Sequence, residues 1–453
     1  MRIEMTIKAA VLGTVPVPLL PLVRRIQESP LGYRLAKGTF WSFAGTVISR
    51  GLALISWILI ARLLGKTVFG EFGMIQSTVI VFGTFAGLGL GLTATRYVAE
   101  FRSKDPKKAG RIIAFSSLTA SATGIIACAV LLMLAPLLAS KALAAPHLAD
   151  LLRVSALVVF FSTLNGAQTG ALSGLEAFKS IAAINLSAGL ISCPVVLAGA
   201  YFGGLRGTVW ALAATMILNW LLNHWALRRE VAKANIPVVF AECWRERSVL
   251  WTFSVPVVLA GILYAPITWL CSVMLANQAN GYAELGLYNA AVQWQTALGF
   301  LPALLSQVML PILSDSHSNQ AEHQSRKTLS TALTVFMAVI ILPAIALIGL
   351  SPWITSAYGG GFQMPVRLFN MVVIYATLAN IGTALWTCLL SRNRAWFGFI
   401  GNLTWGACVL VALHYLLPKG ALGLAVANVV SYIAAMAVIF PPVLKSLLAR
   451  KDA

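Results

Sequence analysis

Acidic residues are scarce in this chain. Its 453 residues include 14 Asp and Glu against 33 Lys and Arg, and charged residues make up only 10% of the whole, beside 59% hydrophobic. A soluble domain carries about 25% charged residues, so this composition excludes one and implies an integral membrane protein whose spans cover nearly all of the length. No stretch is long and polar enough for a separate soluble domain. No GxxxxGK[ST] loop is present, so ATP hydrolysis by a phosphate-cradling loop is not expected. No metal-binding signature stands out, and no cofactor is expected. The six cysteines (Cys128, Cys193, Cys243, Cys271, Cys388, Cys408) fall in predicted spans or in a loop on the basic side, so structural disulfides are not expected.

Carboxylates are also missing from the middle of every predicted span. Glu71 lies about a turn into the second span, Glu284 at the opening of the eighth, and Glu176 and Asp315 near span ends. A proton-coupled exporter ordinarily carries a titratable carboxylate within the membrane. Its absence weakens that reading and leaves Glu71 as the candidate for coupling or gating from a vestibule. Histidine offers little more. His317 and His323 stand in a polar loop, and His147 shares a turn with Asp150. His224 lies near the end of the sixth span beside Asn219 and Asn223, where packing and the lining of an inner vestibule are both open.

Hydrophobic runs are abundant. Twelve windows are long enough to cross a bilayer, which takes about 20 apolar residues each, near 39–63, 68–92, 111–135, 149–173, 179–202, 206–227, 250–275, 284–313, 328–350, 366–390, 396–416 and 420–441. Alternate loops carry the basic residues, about 24 on one side against about 7 on the other. Lys and Arg collect on the cytoplasmic side, which predicts that both termini are cytoplasmic and accounts for most of the net charge of +19 without nucleic acid. Residues 1–36, interrupted by Pro16, Pro18 and Pro21, read as a cytoplasmic or interfacial lead-in.

A weak internal repeat divides the chain. VFGEFGMIQST opens the second span and ELGLYNAAVQW the eighth, aligning Gly70 with Gly286 and Phe72 with Tyr288. The long loop after the sixth span separates a bundle at 37–235 from one at 236–453. The predicted fold is an all-α polytopic membrane protein of about 12 transmembrane helices in two six-helix bundles. Parallel repeats of this kind place a substrate site between the halves. Glycines at spacing four (Gly83, Gly87, Gly91 and Gly166, Gly170, Gly174) predict close helix packing.

One charge stands inside a span. Arg50 lies 13 residues past Lys37, about 20 Å along a helix and near the midplane. A charge at that depth faces a partner or a water-filled cavity; the competing reading pairs or snorkels it to one surface. Arg96 closes the second span, either as part of a cationic path to Arg50 or as an interface anchor. Uncharged polar and aromatic side chains are plentiful in the spans, Gln76, Asn165, Gln293 and Trp294 among them. Amides that bond hydroxyls and aromatic faces that cover sugar C–H patches, beside a cation for phosphate, suit a phosphate-bearing sugar chain. Helix–helix bonding accounts for many of the same residues.

The segment KGTFWSFAGTVISRGLALISWILIARLLGKTVFGEFGMIQST resembles the first two helices of the polysaccharide (O-antigen type) flippases of the multidrug/oligosaccharidyl-lipid/polysaccharide exporter superfamily. GLGLGLTATRYVAE and the basic FRSKDPKKAG follow, and ELGLYNAAVQW is similar to the matching segment of the second half. The resemblance implies two six-helix bundles around a central cavity that moves lipid-linked oligosaccharide between leaflets by alternating access. The substrate so implied is an undecaprenyl-pyrophosphate-linked oligosaccharide in a bacterial inner membrane. Arg50, Arg96, Gln76, Gln293, Trp294 and Asn165 would bind it. Its partners would be membrane lipids and a polysaccharide polymerase with its chain-length regulator. Two rivals stand beside this: a cation-coupled drug exporter of the same superfamily, disfavoured by the cationic interior, and a membrane polymerase or ligase, disfavoured by short external loops.

Overall fold

The computed structural model describes residues 30–240, 242–247, 263–319, 322–390 and 396–448. The greater part of the lead-in, the first part of the seventh span and the side chains of His317 and His323 lie outside the described residues. Helices α1 (Pro30–Gly87), α2 (Leu90–Phe101), α3 (Pro106–Leu137), α4 (Ala149–Gly174) and α5 (Phe178–Lys233) form the first half. Helices α6 (Tyr264–Ala276), α7 (Gly281–Asn319), α8 (Glu322–Gly349), α9 (Ser351–Ser356), α10 (Val366–Leu390), α11 (Trp396–Leu416) and α12 (Gly420–Leu448) form the second.

Two of these are each a pair of spans. α1 folds back at Gly65 (φ 73°) and α5 at Gly204 (φ 52°), left-handed conformations that cost a residue with a Cβ about 1–2 kcal/mol. Counting both arms of each, taking α2 with the second arm of α1 as one span and leaving out the six-residue α9, the described residues make twelve helical passes. The spans at 366–390 and 396–416 begin and end where hydropathy places them. In hydrocarbon every backbone group must be bonded within the helix, and the turns between passes are correspondingly short. Asp105 accepts from Lys108 N at 3.0 Å, with Pro106 following, and so starts α3. Glu284 accepts from Ala421 N at 2.8 Å and starts α12.

Packing within the first half pairs α3 with α4, α4 with α5, α5 with α1 and α2 with α4; in the second, α11 and α10 pair with α12 and α7 with α10. The halves meet through α1, which packs on α7 and α6. The result is the two-lobed, twelve-helix fold of a polytopic membrane protein.

The second span is not continuous. It stops at Gly87 and restarts at Leu90, with Leu88 (φ 43°) and Gly89 (φ 63°) between. Leu88 is a β-carbon residue in the left-handed region, a local strain held by packing of Leu88 and Trp220 against Leu90, Ala120, Leu164 and Ala167. The glycine stripes are used unevenly. A Cβ on Gly170 would lie 2.1 Å from Gly91 O, and one on Gly174 2.7 Å from Val98 Cβ, so α2 and α4 touch backbone to backbone. Gly87 meets nothing within 4 Å; with Gly83 it lines open space.

Candidate functional site: the cleft between the halves

At the end of the molecule away from the basic loops, the halves are locked together. A Cβ on Gly70 would lie 1.8 Å from Tyr282 O, and one on Gly286 1.9 Å from Lys66 O. These two contacts are mirror equivalents in the repeat register that aligns Gly70 with Gly286. Bare glycine faces let the second arm of α1 and α7 cross at backbone contact. One turn further, Gly73 faces Asn289, its third equivalent in the same register. Around this crossing Tyr282 Oη donates to Leu143 O (2.7 Å), Asn277 Nδ2 to Ala142 O (2.8 Å) and Trp269 Nε1 to Thr78 Oγ1 (3.0 Å). Phe69 meets Phe362 edge-on at 5.9 Å. The apolar core that includes Phe69, Phe72, Leu285 and Tyr288 joins both halves here.

Below the crossing the helices part. On α1 the stripe Gly73, Gln76, Ile80, Gly83, Gly87 runs down one face at helical spacing, and Ile80 is 59% exposed. A cavity of about 490 Å³ lies within the first half beside this stripe, lined by Ile80, Gly83 and Gly87 of α1, Leu92 of α2, and Ser162 and Gly166 of α4. On α7 the matching stripe runs Gly286, Asn289, Gln293 and Phe300. Gln76 and Gln293 are half-buried on these two stripes.

Arg50 stands between the two halves further down. Its guanidinium lies 4.9 Å from the centre of the Phe300 ring, reaching from the first half to the second. It is exposed. Arg50 is about 20 Å of helix from the bend at Gly65, and Phe300 about 20 Å from Gly286, so a charge stands deep in the cleft at one level on both walls. Cation–π contact is a weak tether, about 0.5–1 kcal/mol at an exposed site, and leaves the guanidinium's donors for a ligand.

The remaining sequence candidates divide. Trp294 Nε1 donates to Tyr358 Oη at 3.0 Å and its ring meets Phe369 at 5.8 Å, inside the second half. Asn165 is buried, donating to Met216 O (3.2 Å) and accepting from Asn223 Nδ2 (3.4 Å). Arg96 stands exposed on α2 with its guanidinium 5.5 Å from the Tyr97 ring. Glu71 pairs with His147 Nε2 at 2.9 Å beside the closed crossing. Sequence reading did not join these last two, 76 positions apart; no local motif links a helix to the turn between two others.

At the basic end the ion pairs among the described residues stay within the first half and the segment after it. Arg102 holds Glu176 (2.6 Å), Arg111 holds Glu246 (3.0 Å), and Glu230 takes Lys233 (2.7 Å) and Ser180 (2.9 Å). Among the described residues, the polar bonds between the halves thus gather at and just below the end away from the basic loops.

Comparison with known proteins gives the family and the fold. The family model described as "Polysaccharide biosynthesis protein" matches residues 35–317. The "EPS I polysaccharide export inner membrane protein EpsE" of Ralstonia solanacearum is 24% identical over 415 residues, 90% of each chain. The "Lipid III flippase" of Escherichia coli (strain K12) is 21% identical over 409 residues, 88% of this chain and 95% of that one. Among solved structures, an inward-facing multidrug resistance MATE family transporter of the MOP superfamily superposes with a TM-score of 0.71 at 12% identity, over 89% of this chain and 96% of its own. At that identity the likeness concerns the fold alone.

Proposed function

Because the chain belongs to the polysaccharide biosynthesis protein family, we propose that it is a flippase and not an enzyme, translocating undecaprenyl-pyrophosphate-linked oligosaccharide across a bacterial inner membrane. Its relatives are named as a polysaccharide exporter of the inner membrane and a lipid III flippase. The observation that carries the reading is Arg50, an exposed cation deep between two halves that, among the described residues, are locked together at the end away from the basic loops.

The mechanism follows from that asymmetry. The basic end, cytoplasmic by its Lys and Arg excess, is open to the substrate. Pyrophosphate enters beneath Arg50, whose planar guanidinium donates to two phosphate oxygens at once. Gln76 and Gln293, on facing stripes below the crossing, bond sugar hydroxyls. The lipid tail stays in the bilayer. Closure of the basic end and parting of the Gly70–Gly286 crossing then present the sugar to the other side. We place the boundary between the two bundles at 235/236, with the segment 236–247 moving with the first half on which it packs, and with both termini cytoplasmic. A polymerase and its chain-length regulator consume the product on the far face.

The test is in cells and in membranes. Arg50→Ala, at matched protein level, is expected to abolish surface polymer and to leave lipid-linked oligosaccharide on the cytoplasmic face, while Arg50→Lys keeps part of the activity. Normal polymer from Arg50→Ala removes Arg50 from the mechanism. Lipid-linked units that accumulate unpolymerised on the outer face would instead mark a step after translocation.

A further inference from the structure

The segment that follows α5 at the basic end has a face that the mechanism above does not use. Its inner edge lies along the flank of α3. A Cβ on Gly110 would stand 1.9 Å from Pro237 O. Arg111 Nε holds Glu246 at 3.0 Å, and its Nη1 lies 4.0 Å from Glu242. Further along α3 the Trp244 ring meets Phe115 edge-on at 5.9 Å, and Cys243 and Val238 pack on Ala114 and Phe115. Ile236, Cys243 and Glu246 are buried by these contacts. The outer edge is bare: Val239, Phe240 and Trp244 are 42%, 58% and 61% exposed.

Helical spacing tells what this bare edge meets. Leu118, Ala122, Ile125 and Met133 are exposed and share one face of α3. α3 packs on α4, α2 and α1 of its own half and is long and apolar enough to cross a membrane. An apolar stripe left bare on such a helix faces lipid, which is as apolar as leucine. Followed back toward Pro106, the same stripe passes Phe115 and Ala114, then Arg111, then Lys107. The first three are the residues that the segment touches, so it lies on the lipid-facing flank. Its height is fixed as well. Phe115 stands about 13 Å of helix past Pro106, inside the apolar window that opens near 111. Trp244 beside it is therefore level with the boundary between head groups and acyl chains.

We propose that this segment is an interfacial docking surface for anionic phospholipid of the leaflet at the basic end. Val239, Phe240 and Trp244 enter the acyl boundary, where an indole with an apolar body and one N–H is at home. Lys107, Arg245 and Arg247 are exposed beside them. Their long stems lie along apolar surface while their charges reach the phosphates. The charge balance selects an anionic head group. The two carboxylates of the segment are already engaged, Glu246 by Arg111 and Glu242 by Arg245 at 3.3 Å. Lys107 and Arg247 have no ion pair among the described residues. A basic residue close to an anionic surface favours the contact by about fivefold. Docked in this way, the start of the connection between the halves is held at the bilayer surface together with α3.

The proposal needs α3 to be a span and takes nothing from the flippase reading, so it is tested without lipid-linked substrate. A nitroxide is attached at Phe240→Cys, or in a separate protein at Val239→Cys, with Asn235→Cys as the reference at the exposed end of α5. The full chain is placed in phosphatidylcholine vesicles with and without phosphatidylglycerol. Oxygen, which concentrates in acyl chains, and a neutral nickel chelate, which stays in water, compete to relax the label. At Phe240 and Val239 the oxygen-to-nickel ratio is expected to be several-fold higher than at Asn235, and to rise further with phosphatidylglycerol. Lys107→Gln with Arg245→Gln and Arg247→Gln is expected to lose that further rise, whereas Arg206→Gln, at the opposite end, keeps it. Labels at 239 and 240 that nickel reaches as freely as at 235 overturn the proposal. So does a rise with phosphatidylglycerol that is absent in the parent or survives in the triple variant. Labels shielded from both reagents in native membranes, and open to nickel in vesicles, would mean that a protein covers this face, which overturns it equally.

Discussion

Arg50 carries its argument at the scale of one side chain because its depth and its neighbour agree. A guanidinium offers five donors in a fixed fork. The Phe300 face beneath it orients the group without consuming those donors. Arg50→Gln keeps some hydrogen bonding and no charge. The account expects it to lower flipping in liposomes by more than about tenfold, the equivalent of one charged hydrogen bond of roughly 1.4 kcal/mol or more. Glu284 is the contrasting case. Its carboxylate starts α12 at Ala421 N, a structural duty. Glu284→Ala is expected to cost about 1 kcal/mol of stability, as lost caps do, seen as a lower unfolding temperature in detergent with transport retained at permissive temperature. Asn289 is more telling. Its Nδ2 is buried at the crossing with no hydrogen-bond partner among the described residues. A buried unpaired donor costs about 1–3 kcal/mol, a penalty that parting of the helices relieves. The closed end is built to open.

At the scale of the element, the crossing of α1 and α7 depends on two missing side chains. Gly70→Leu places four carbons where Tyr282 O stands 1.8 Å from a Cβ position. A backbone oxygen cannot step aside as a flexible side chain does, and overpacking of this kind costs about 1–3 kcal/mol. The expected result is a population shifted toward parting of that end. Labelling of Gln293→Cys by an impermeant maleimide, added from the side away from the basic loops, should then rise over the parent. Sequence periodicity marked this position for a reason it could not state. Gly70 and Gly286 align as a repeat, and in space the repeat is a contact. The pattern failed where helices are apolar on every side. Nothing in GLGLGL separates Gly91, which packs on Gly170, from Gly87, which lines the cavity, because lipid, neighbour and cleft all accept the same small apolar residues. Nor does the composition around Leu88 announce a break in the second span.

For the whole molecule, the number and order of spans were legible because a bilayer imposes one length and the basic loops impose one polarity. Two halves of six passes were legible from the repeat. The site was legible only in part. A lone charge in a span is a strong signal, and Arg50 lies in the cleft. Amides are a poor one: Asn165 bonds Met216 and Asn223, and Trp294 bonds Tyr358, inside their own halves. Which amides face a cleft is decided by how two halves dock, a property of pairs far apart in the chain.

The claim that joins these scales is that transport requires the halves to part at the Gly70–Gly286 end. Gly73→Cys with Asn289→Cys tests it most directly. The three atoms nearest a Cβ at Gly73 all belong to the Asn289 side chain, and Asn289 Cβ itself is 3.4 Å away, close to the roughly 3.5–4.5 Å a disulfide needs. The double variant, with the native cysteines replaced and the protein in liposomes, would be assayed for flipping of lipid-linked oligosaccharide before and after oxidation. The account predicts that the crosslink stops flipping and that reduction restores it. Flipping that continues at the parent rate in fully crosslinked protein would contradict alternation at this end, and with it the mechanism.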